Sequence, residues 1–472
     1  MKRRDVLVGL LALSGLGAGV FAGGTATAVQ ASGYQEVALM EVPGATHLEF
    51  ITREVDGQTR TFALVGSRDT TPPLEGVPAT QQPIINAEPH GGLNVIDVTD
   101  PDNPQFVFNA FCPTGANDIG VVEVDHTIGG IDYDAFILLA SNDTYSCQAQ
   151  TGLGARGAVV VVGIRAQPEP GATMTADWLR SPFVTETGSP FKWTKSPAAH
   201  TVVVHPNQPV AYTANQAIGD RNPVVEILDL SVWPPVGKTH DLAKTGNGPH
   251  DITFSPDGNR AYVSSINLSF VWDTTGPKLK APELVGVIDS PNLKIHHEVV
   301  LHPNGRHLLA VDEFVATSDA GTPVCPGGGV HILDLGPIGP DGKRMFETAP
   351  VPVGQFYTQN LSHPGIRISE DNEVTTELDI ACTAHEFNID PSGDWMPLAW
   401  MGNGVRELDL SPLNDPVVLD SPVPVPVNIT ESRYFLPEWT DAWAAKQHPN
   451  TPGYVFVSDT EVGFRVLKRL PL

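Results

Sequence analysis

The sequence predicts an all-β fold, because one hairpin unit recurs along most of the chain. In its clearest copy, residues 248–265, apolar residues alternate, stop at a Pro-Asp-Gly turn and then alternate again, as in an antiparallel hairpin. Proline presets one dihedral angle of the turn and glycine supplies a positive φ, so the turn is marked chemically. Further copies begin at His200, His297 and His385, and in every copy a histidine stands six residues before the proline.

A second signature follows the hairpins, namely an apolar strand that usually ends in aspartate. It occupies residues 93–97, 225–229, 271–273, 330–334 and 405–409, and more loosely residues 158–162 and 464–467. Small sheets that repeat in this way bury their faces only against one another, which predicts a seven-bladed β-propeller. Residues 34–42 alternate ahead of the first unit, so we expect this N-terminal strand to close the ring as the fourth strand of the last blade.

Several segments between the units are expected to be loops. Residues 422–437 are rich in proline and carry no strand pattern, so we expect a loop over one face. Three insertions, residues 69–90, 168–196 and 357–383, are longer than a propeller needs. If they lie on one face, they would wall a pocket over the central channel.

Two repeats resemble known propeller sequences. Residues 91–107, which contain Leu-Asn-Val-Ile-Asp, resemble the LVIVD repeat of secreted bacterial propellers, and residues 249–263 resemble the YVTN type. The resemblance covers most of the chain and implies the propeller fold. It implies little about chemistry, because both repeat families contain proteins of many functions.

The N-terminal residues predict export. Residues 1–31 have the basic, apolar and small-residue regions of a signal peptide, with cleavage near Ala28 or Ala31. The pair Arg3-Arg4 resembles a twin-arginine signal, which exports folded proteins and often their cofactors, and an ordinary secretion signal is the alternative. The apolar run is short for a membrane span. We therefore expect residues 32–472 to form a single soluble, monomeric domain outside the cytoplasm, secreted or periplasmic.

The four cysteines are expected to form disulfides, because an even number in an exported chain favours oxidation. Of the three pairings available, nearness in sequence favours Cys112 with Cys147 and Cys325 with Cys382. None of the four stands in a C-x-x-C spacing, so the sequence does not predict a thiolate metal site.

Charge and missing motifs narrow the function. The 54 acidic and 28 basic residues give a net charge of −26, which argues against binding to nucleic acid or to an anionic membrane. The sequence contains no Walker loop and no dinucleotide fingerprint, so no nucleotide cofactor is expected. It also lacks the C-x-x-C-H of covalent haem and the motifs G-x-S-x-G and H-E-x-x-H.

Histidines carry the candidate chemistry. Four of them occupy the same place in consecutive units, at the start of the innermost strand: His200, His250, His297 and His385. Equivalent positions of inner strands surround one axis, so these imidazoles are predicted to converge. A site made of imidazoles suits copper, iron or zinc. Three following carboxylates are expected to orient the rings as outer partners: Asp251, Glu298 and Glu386.

Different roles are expected for the other histidines. His47 joins the set if its hairpin is longer, and His296 replaces His297 if the strand register shifts by one residue. His205, His302 and His448 directly precede the turn prolines and are predicted to be structural.

The arrangement resembles, in general plan, the carotenoid-cleavage oxygenases, which hold iron with four histidines on a propeller axis. It is also similar in kind to the histidine-bound copper of the methanethiol oxidase and selenium-binding family. The likeness covers the plan of the site and none of the flanking motifs. The resemblance implies that an axial histidine metal site is feasible in this fold, and it does not imply membership of either family.

Three functions follow from these patterns. The leading hypothesis is an exported propeller that binds a transition metal through axial histidines and acts as an oxidoreductase. The alternative is a non-catalytic extracellular binding propeller whose histidines cap strands and whose partner is a small molecule or a protein. A lactonase-like hydrolase is the third, and its divalent ion would be held by residues that follow second strands: Asn215, Asn267, Asp312 and Asn403.

Overall fold

The fold was examined in a computed structural model. It describes residues 30–69, 84–112, 115–140, 159–179, 184–185, 199–214, 224–241, 248–317, 323–359, 367–368, 374–375, 382–437 and 440–471. Strands dominate these residues, and most pair antiparallel with the preceding strand of the chain.

The first three strand groups lie in the N-terminal half. Group one comprises Ala45–Val55, Gln58–Ser67, Gly92–Asp97 and Gln105–Phe111, with Ile84–Asn86 at its outer edge. Group two comprises Asp118–Ile128, Ile131–Ala140, Val159–Arg165 and Ala176–Leu179. Group three comprises Thr201–Val204, Val210–Ala214, Val224–Asp229 and Val236–Asp241, with Val184–Thr185 parallel at its outer edge.

The remaining groups follow in order. Group four comprises Asp251–Phe254, Arg260–Ser265, Leu268–Asp273 and Glu283–Ile288. Group five comprises His296–Leu301, His307–Asp312, Val330–Asp334 and Val351–Phe356. Group six comprises Ala384–Phe387, Trp395–Trp400, Val405–Asp409 and Thr430–Leu436. Group seven comprises Ala442–Lys446, Tyr454–Asp459, Gly463–Arg469 and Tyr34–Met40.

Short elements decorate the groups. Two small hairpins pair Ala316–Thr317 with Pro323–Val324 and Arg367–Ile368 with Val374–Thr375. Two 3₁₀ turns span Gly276–Lys280 and Ser411–Asn414, and one short α-helix spans Pro416–Leu419. Within the described ranges, no helix is long and apolar enough to cross a membrane.

The inner strands form a ring. The first strand of each group contacts the first strand of the next, and the first strand of group seven contacts that of group one. Each buried apolar cluster lies between two neighbouring groups, so every group is covered on both faces. This is the packing of a β-propeller, and the predicted fold is confirmed. The count of seven blades stays a prediction, with which these groups agree.

The N-terminal strand closes the ring as predicted. Tyr34–Met40 pairs antiparallel with Gly463–Arg469, the third strand of group seven. This pairing covers an edge that would otherwise expose unpaired amides. The preceding Gln30–Ser32 pairs with Thr430–Leu436 of group six. The expected signal peptide lies outside the described residues except for this strand, which cleavage at Ala28 would retain whole.

A buried carboxylate fastens the closure. Glu407 accepts hydrogen bonds from the Tyr34 hydroxyl (2.7 Å) and from Arg469 Nε (2.7 Å), and it also contacts Arg433. Burial opposes ionisation, but the hydrogen bonds from Arg469 and Tyr34 lower the pKa of Glu407 below its usual value. One anion thus links the closing strand, the last strand and group six.

One expectation about loops is wrong. Part of the proline-rich region, Thr430–Leu436, is the fourth strand of group six and pairs with Val405–Asp409. Its only other described neighbour is Gln30–Ser32, so it lies near the outer edge of the propeller. Outer strands are buried incompletely, and their side chains therefore need not alternate in the way that reveals an inner strand. The three long insertions lie largely outside the described residues.

Two of the three histidines before the turns, His205 and His302, link neighbouring groups, as a structural role requires. His205 Nε2 donates to the carbonyl of Gly258 in the next group (3.0 Å), and His302 Nε2 donates to that of Gly393 (2.7 Å). Both glycines have a positive φ, and an added Cβ would meet the histidine ring at 2.2 Å and 2.7 Å, respectively. Glycine is therefore required at both turns for steric reasons.

The predicted disulfide between Cys325 and Cys382 is present, with Cα atoms 5.1 Å apart. It ties a loop of group five to the segment that leads into the first strand of group six. Cys147 lies outside the described residues, so its pairing with Cys112 stays a prediction.

Removing this link should destabilise the domain. We expect the C325S/C382S variant to lose about 2–4 kcal/mol of unfolding free energy, because the bond constrains a long loop of the unfolded chain. Denaturant titration of the variant against the oxidised parent measures the loss. Equal midpoints would show that the link does not stabilise the fold.

Candidate functional site

Irregular strand starts place polar side chains at the axis. The register of the inner hairpin shifts between His296 and Val299 in group five, and between Ala384 and Phe387 in group six. Such bulges turn a strand locally and re-aim its side chains. Two consecutive residues of each of these two strands fall within the shift, His297 with Glu298 and His385 with Glu386.

The four predicted histidines lie together at the axis, and we call them the histidine cluster. Their ring centroids are 4.9 Å apart from His200 to His250, 4.7 Å from His250 to His297 and 4.2 Å from His297 to His385. Trp443, which replaces histidine in group seven, continues the series at 4.4 Å from His385. All four histidines are buried.

The Nε2 atoms of three histidines face one carboxylate. The oxygens of Glu313 lie 3.5 Å from His250 Nε2, 3.9 Å from His297 Nε2 and 3.8 Å from His385 Nε2. His200 Nε2 lies 3.1 Å from His250 Nε2. Four imidazoles and one carboxylate therefore direct donor atoms at a single small region.

Hydrogen bonds fix the orientation of two of these rings. Nδ1 of His385 donates to the carbonyl of Trp443 (2.6 Å), which leaves the Nε2 lone pair free to face the cluster. Asn117 accepts from Arg68 Nε (2.7 Å) through its oxygen, so its amide group must donate to His200 Nδ1 (3.2 Å). Neutral His200 consequently carries its proton on Nε2 and donates it to His250.

Electrostatics keep the cluster neutral. Burial lowers the pKa of His250 to about 3 and that of His385 to about 4, and it holds the values of His200 and His297 well below normal. Burial raises the pKa of Glu313 to about 8, against an opposing effect of Arg68. Neutral imidazoles with available lone pairs are the form that binds metals.

A second set of polar residues lies next to the cluster along the channel. It consists of four buried acids, here called the carboxylate layer: Asp118, Asp251, Glu298 and Glu386. His47 Nδ1 lies 3.0 Å from Asp118 and 2.5 Å from Glu386. Burial alone would lower the pKa of His47, but Asp118 and Glu386 raise it well above its usual value. His47 is therefore a cation of this layer.

The carboxylates of the layer differ in charge state. Burial opposes the ionisation of Glu386, but His47 and Lys446 lower its pKa to about 2. Burial and the neighbouring acids raise the pKa of Asp251 and that of Glu298 well above normal. Lys446 Nζ lies 2.8 Å from Glu49, one step further along the channel.

A channel cavity of about 700 Å³ reaches this layer. Asp118, Asp251 and Glu298 line it together with Lys446, and it extends along the inner strands to the turn at Pro206. The histidine cluster itself does not line the cavity. The carboxylate layer thus lies between the cavity and the histidines.

Some predicted residues have other positions. His296 contacts Ser269 through Nδ1 (2.8 Å) and lies outside the cluster, as does His47 in the carboxylate layer. Glu386 accepts from the indole of Trp443 (3.0 Å) and contacts His47. Asp251 and Glu298 lie with His297, their donor atoms within 4.8 Å of one another.

Sequence reasoning missed Glu313, Arg68 and Asn117. Glu313 and Arg68 directly follow the second strands His307–Asp312 and Gln58–Ser67. In an antiparallel hairpin the end of the second strand returns to the start of the first, where the histidines stand. Charged residues immediately after second strands were therefore the available signal.

The residues of the hydrolase hypothesis do not gather at the axis in the same way. Asp312 accepts hydrogen bonds from the backbone amides of Ile295 (2.9 Å) and Phe314 (3.1 Å). Asn267 is exposed, Asn403 is buried near Arg406, and Asn215 lies outside the described residues.

Comparisons with known proteins give fold-level likeness. No protein-family model and no curated protein matches the sequence. The β-propeller domain of Cps50 (Swd1) from Myceliophteria thermophila aligns with 93% of this chain and 100% of its own length, at 10% identity and a TM-score of 0.49. A putative 6-phosphogluconolactonase from Bacteroides uniformis aligns with 85% of this chain and 89% of its own, at 13% identity and 0.49.

A protein from Lactobacillus plantarum aligns with 79% of this chain and 85% of its own, at 11% identity and a TM-score of 0.47. At such values the assignment of the fold rests on the strand pairing of this chain. None of the activities named for these proteins carries over.

Proposed function

We propose that this chain is an exported propeller that binds one transition-metal ion in the histidine cluster. The observation that carries the proposal is the convergence of three Nε2 atoms on the Glu313 carboxylate at 3.5–3.9 Å. His250, His297, His385 and Glu313 are the proposed ligands. His250 Nε2 has a single lone pair, so the ion would replace the hydrogen bond that this atom accepts from His200 in the metal-free chain.

The distances favour an ion over direct hydrogen bonding. Nitrogen and oxygen atoms 3.5 Å or more apart are too distant for a normal hydrogen bond. Donors that each lie about 2.0–2.1 Å from one tetrahedral ion are about 3.4 Å from one another. The separations between the Glu313 oxygens and the three nitrogens are close to this value. His250, His297 and Glu313 each place one donor atom within 4.8 Å of the other two.

The donor set narrows the metal to copper, iron or zinc, because neutral imidazoles suit these ions. Copper or iron would permit one-electron chemistry, which supports the oxidoreductase part of the proposal, whereas zinc would act as a Lewis acid or a structural ion. Electron paramagnetic resonance and elemental analysis of the purified protein separate these cases.

Metal content tests the proposal directly. In protein expressed with export and purified without a histidine tag, we expect about one equivalent of copper, iron or zinc per chain. H385A and E313Q should each contain about one equivalent less than the parent, since each removes a ligand of this ion. H302Q is the matched control, because His302 is buried but bonds only to turn atoms. A wild-type protein without metal would overturn the proposal.

Export is proposed on two grounds. The first 31 residues have the composition of a signal peptide, and a disulfide joins Cys325 to Cys382. Disulfides persist in oxidising compartments. The LVIVD-like segment at residues 93–97 supports membership of the secreted propellers with this repeat.

The second candidate is a non-catalytic binding propeller, with an extracellular protein or small molecule as partner. The turn histidines favour it, because His205 and His302 serve only to connect neighbouring groups. A metal-free protein that is as stable as the parent and retains its fold would support this function.

A further inference from the structure

Cations are distributed unevenly around the carboxylate layer. His47 contacts Asp118 and Glu386, and Lys446 contacts Glu49. Within the ranges that the structure describes, no lysine, arginine or histidine forms an ion pair with Asp251 or Glu298. Asp251 and Glu298 therefore have no direct contact with a cation among the described residues, and His47 and Lys446 act on Glu298 only from a greater distance.

Polar atoms beside these two acids are also unsatisfied. Glu298 Oε2 and His297 Nδ1 are buried and have no hydrogen-bond partner among the described residues. Glu298 is 9% exposed, Asp251 8% and His297 2%. One donor atom of each residue lies within 4.8 Å of the other two. Buried groups of this kind usually have a partner, and a bound cation would supply one.

We propose that Asp251, Glu298 and His297 bind a second cation, a divalent first-row metal ion, at the inner end of the channel cavity. Two carboxylates and one imidazole suit manganese, iron or zinc, because oxygen donors favour the harder ions and imidazole the borderline ones. Bidentate carboxylates and water from the cavity complete the coordination. This site goes beyond the proposed function, since it uses different donors and holds a different ion.

His297 places the two sites on opposite sides of one ring. Its Nε2 is the atom that faces Glu313, so Nδ1 is the nitrogen left for Asp251 and Glu298. When both ions are bound, the ring has given up its remaining N–H proton, which passes to the water of the cavity. The positive charges of the two ions then together offset the negative charges of the imidazolate and of the two acids.

The cavity supplies the route of entry. Asp251 and Glu298 line it, and it extends to the turn at Pro206 at the far end of the inner strands. A volume of about 700 Å³ holds a hydrated ion many times over. Further acidic residues, Glu49 and Glu123, line the same cavity and attract cations to it.

Zinc titration of the chelator-treated full chain tests this site. We expect the wild type to bind about two equivalents of Zn²⁺ and the D251N/E298Q variant about one. E313Q should lose the histidine-cluster ion and keep the second one. E123Q is the matched control, because Glu123 is a carboxylate of the same cavity outside the proposed ligands, and it should bind as the wild type does.

The outcomes separate the two proposals. One equivalent in the wild type that persists in D251N/E298Q and disappears in E313Q would overturn the second site and leave Asp251 and Glu298 as orienting groups for His297. No zinc in any variant would overturn both proposals. Two equivalents in D251N/E298Q would place the second ion elsewhere and likewise overturn the inference.

A measurement on metal-free protein guards against misfolding of the double variant. E298Q alone replaces a buried carboxyl group, whose Oε2 has no hydrogen-bond partner among the described residues, with a neutral amide of the same shape. Its melting temperature without metal should therefore equal or exceed that of the wild type. A clearly lower melting temperature would show that Glu298 already has a stabilising partner, and would contradict the inference. Excess Zn²⁺ should raise the melting temperature less in E298Q than in the wild type.

Discussion

Acidification of the metal-free protein from about pH 7 to pH 4 is expected to remove several kcal/mol of stability. Burial lowers the pKa of His307 to about 4 and that of His331 to about 4, from a usual value of 6.5. Between pH 6.5 and pH 4 these histidines are protonated in the unfolded chain but stay neutral in the folded chain. Stability is therefore complete above pH 6.5 and falls as the pH drops towards 4, by about 1.4 kcal/mol per pH unit for each histidine.

Denaturant midpoints measured at several pH values check this expectation. H331Q lacks one of the two histidines that take up a proton on unfolding. When each protein's unfolding free energy is expressed relative to its own value at pH 8, that of H331Q should therefore fall less steeply with pH than that of the parent. His307 offers an independent variant, because its ring accepts from Asn304 (3.1 Å) and is remote from the channel. A stability that stays constant from pH 6.5 to pH 5 would show that these histidines are not held neutral.

Loss of the closing strand is expected to be the most damaging change to the fold. Deletion of residues 32–42 removes Tyr34–Met40 and leaves Gly463–Arg469 as an open edge with unpaired amides. It also leaves Glu407 without the Tyr34 hydroxyl. We expect a loss of several kcal/mol together with aggregation, since an exposed edge recruits other chains.

A point substitution isolates the charged part of the closure. E407Q leaves Arg433 and Arg469 without their buried anion, and we expect it to cost about 3–5 kcal/mol. E41Q is the control, because Glu41 is an exposed carboxylate just after the same strand, and its effect should stay within about 0.5 kcal/mol. If the deletion variant melts within a degree or two of the parent and stays soluble, the strand does not hold the ring.

The fold was predictable because its signals are local and repeated. Turn glycines, alternating inner strands and aspartate-ended third strands each recur, so one copy supports the next. The sequence pattern did not reveal the strand Thr430–Leu436, because an outer strand is packed on fewer sides and this one follows a proline-rich stretch. The closing strand was found from the alternation of residues 34–42 and from the need to cover the last edge.

The site was only half predictable. The histidines were found because they share one position in the repeat, but Glu313 belongs to a single unit and has no counterpart to reveal it. The polar contacts of His47 depend on the bulge that follows Ala45, which a sequence pattern does not locate. Which carboxylates have cationic partners depends on distances across the channel, and these follow only from the assembled ring.

The direction of the closing pair determines how the ring responds to a mechanical load. Tyr34 pairs with Arg469 and Met40 with Phe464, so the two ends of the chain leave the domain from the same end of this strand pair. A force that pulls the termini apart therefore first detaches Gln30–Ser32 from Thr430–Leu436 and then loads the Tyr34–Arg469 pair, so that the closing strands separate one hydrogen bond at a time. Glu407 binds both residues, so its contacts are the first side-chain contacts of the closing pair that a pulled chain must break.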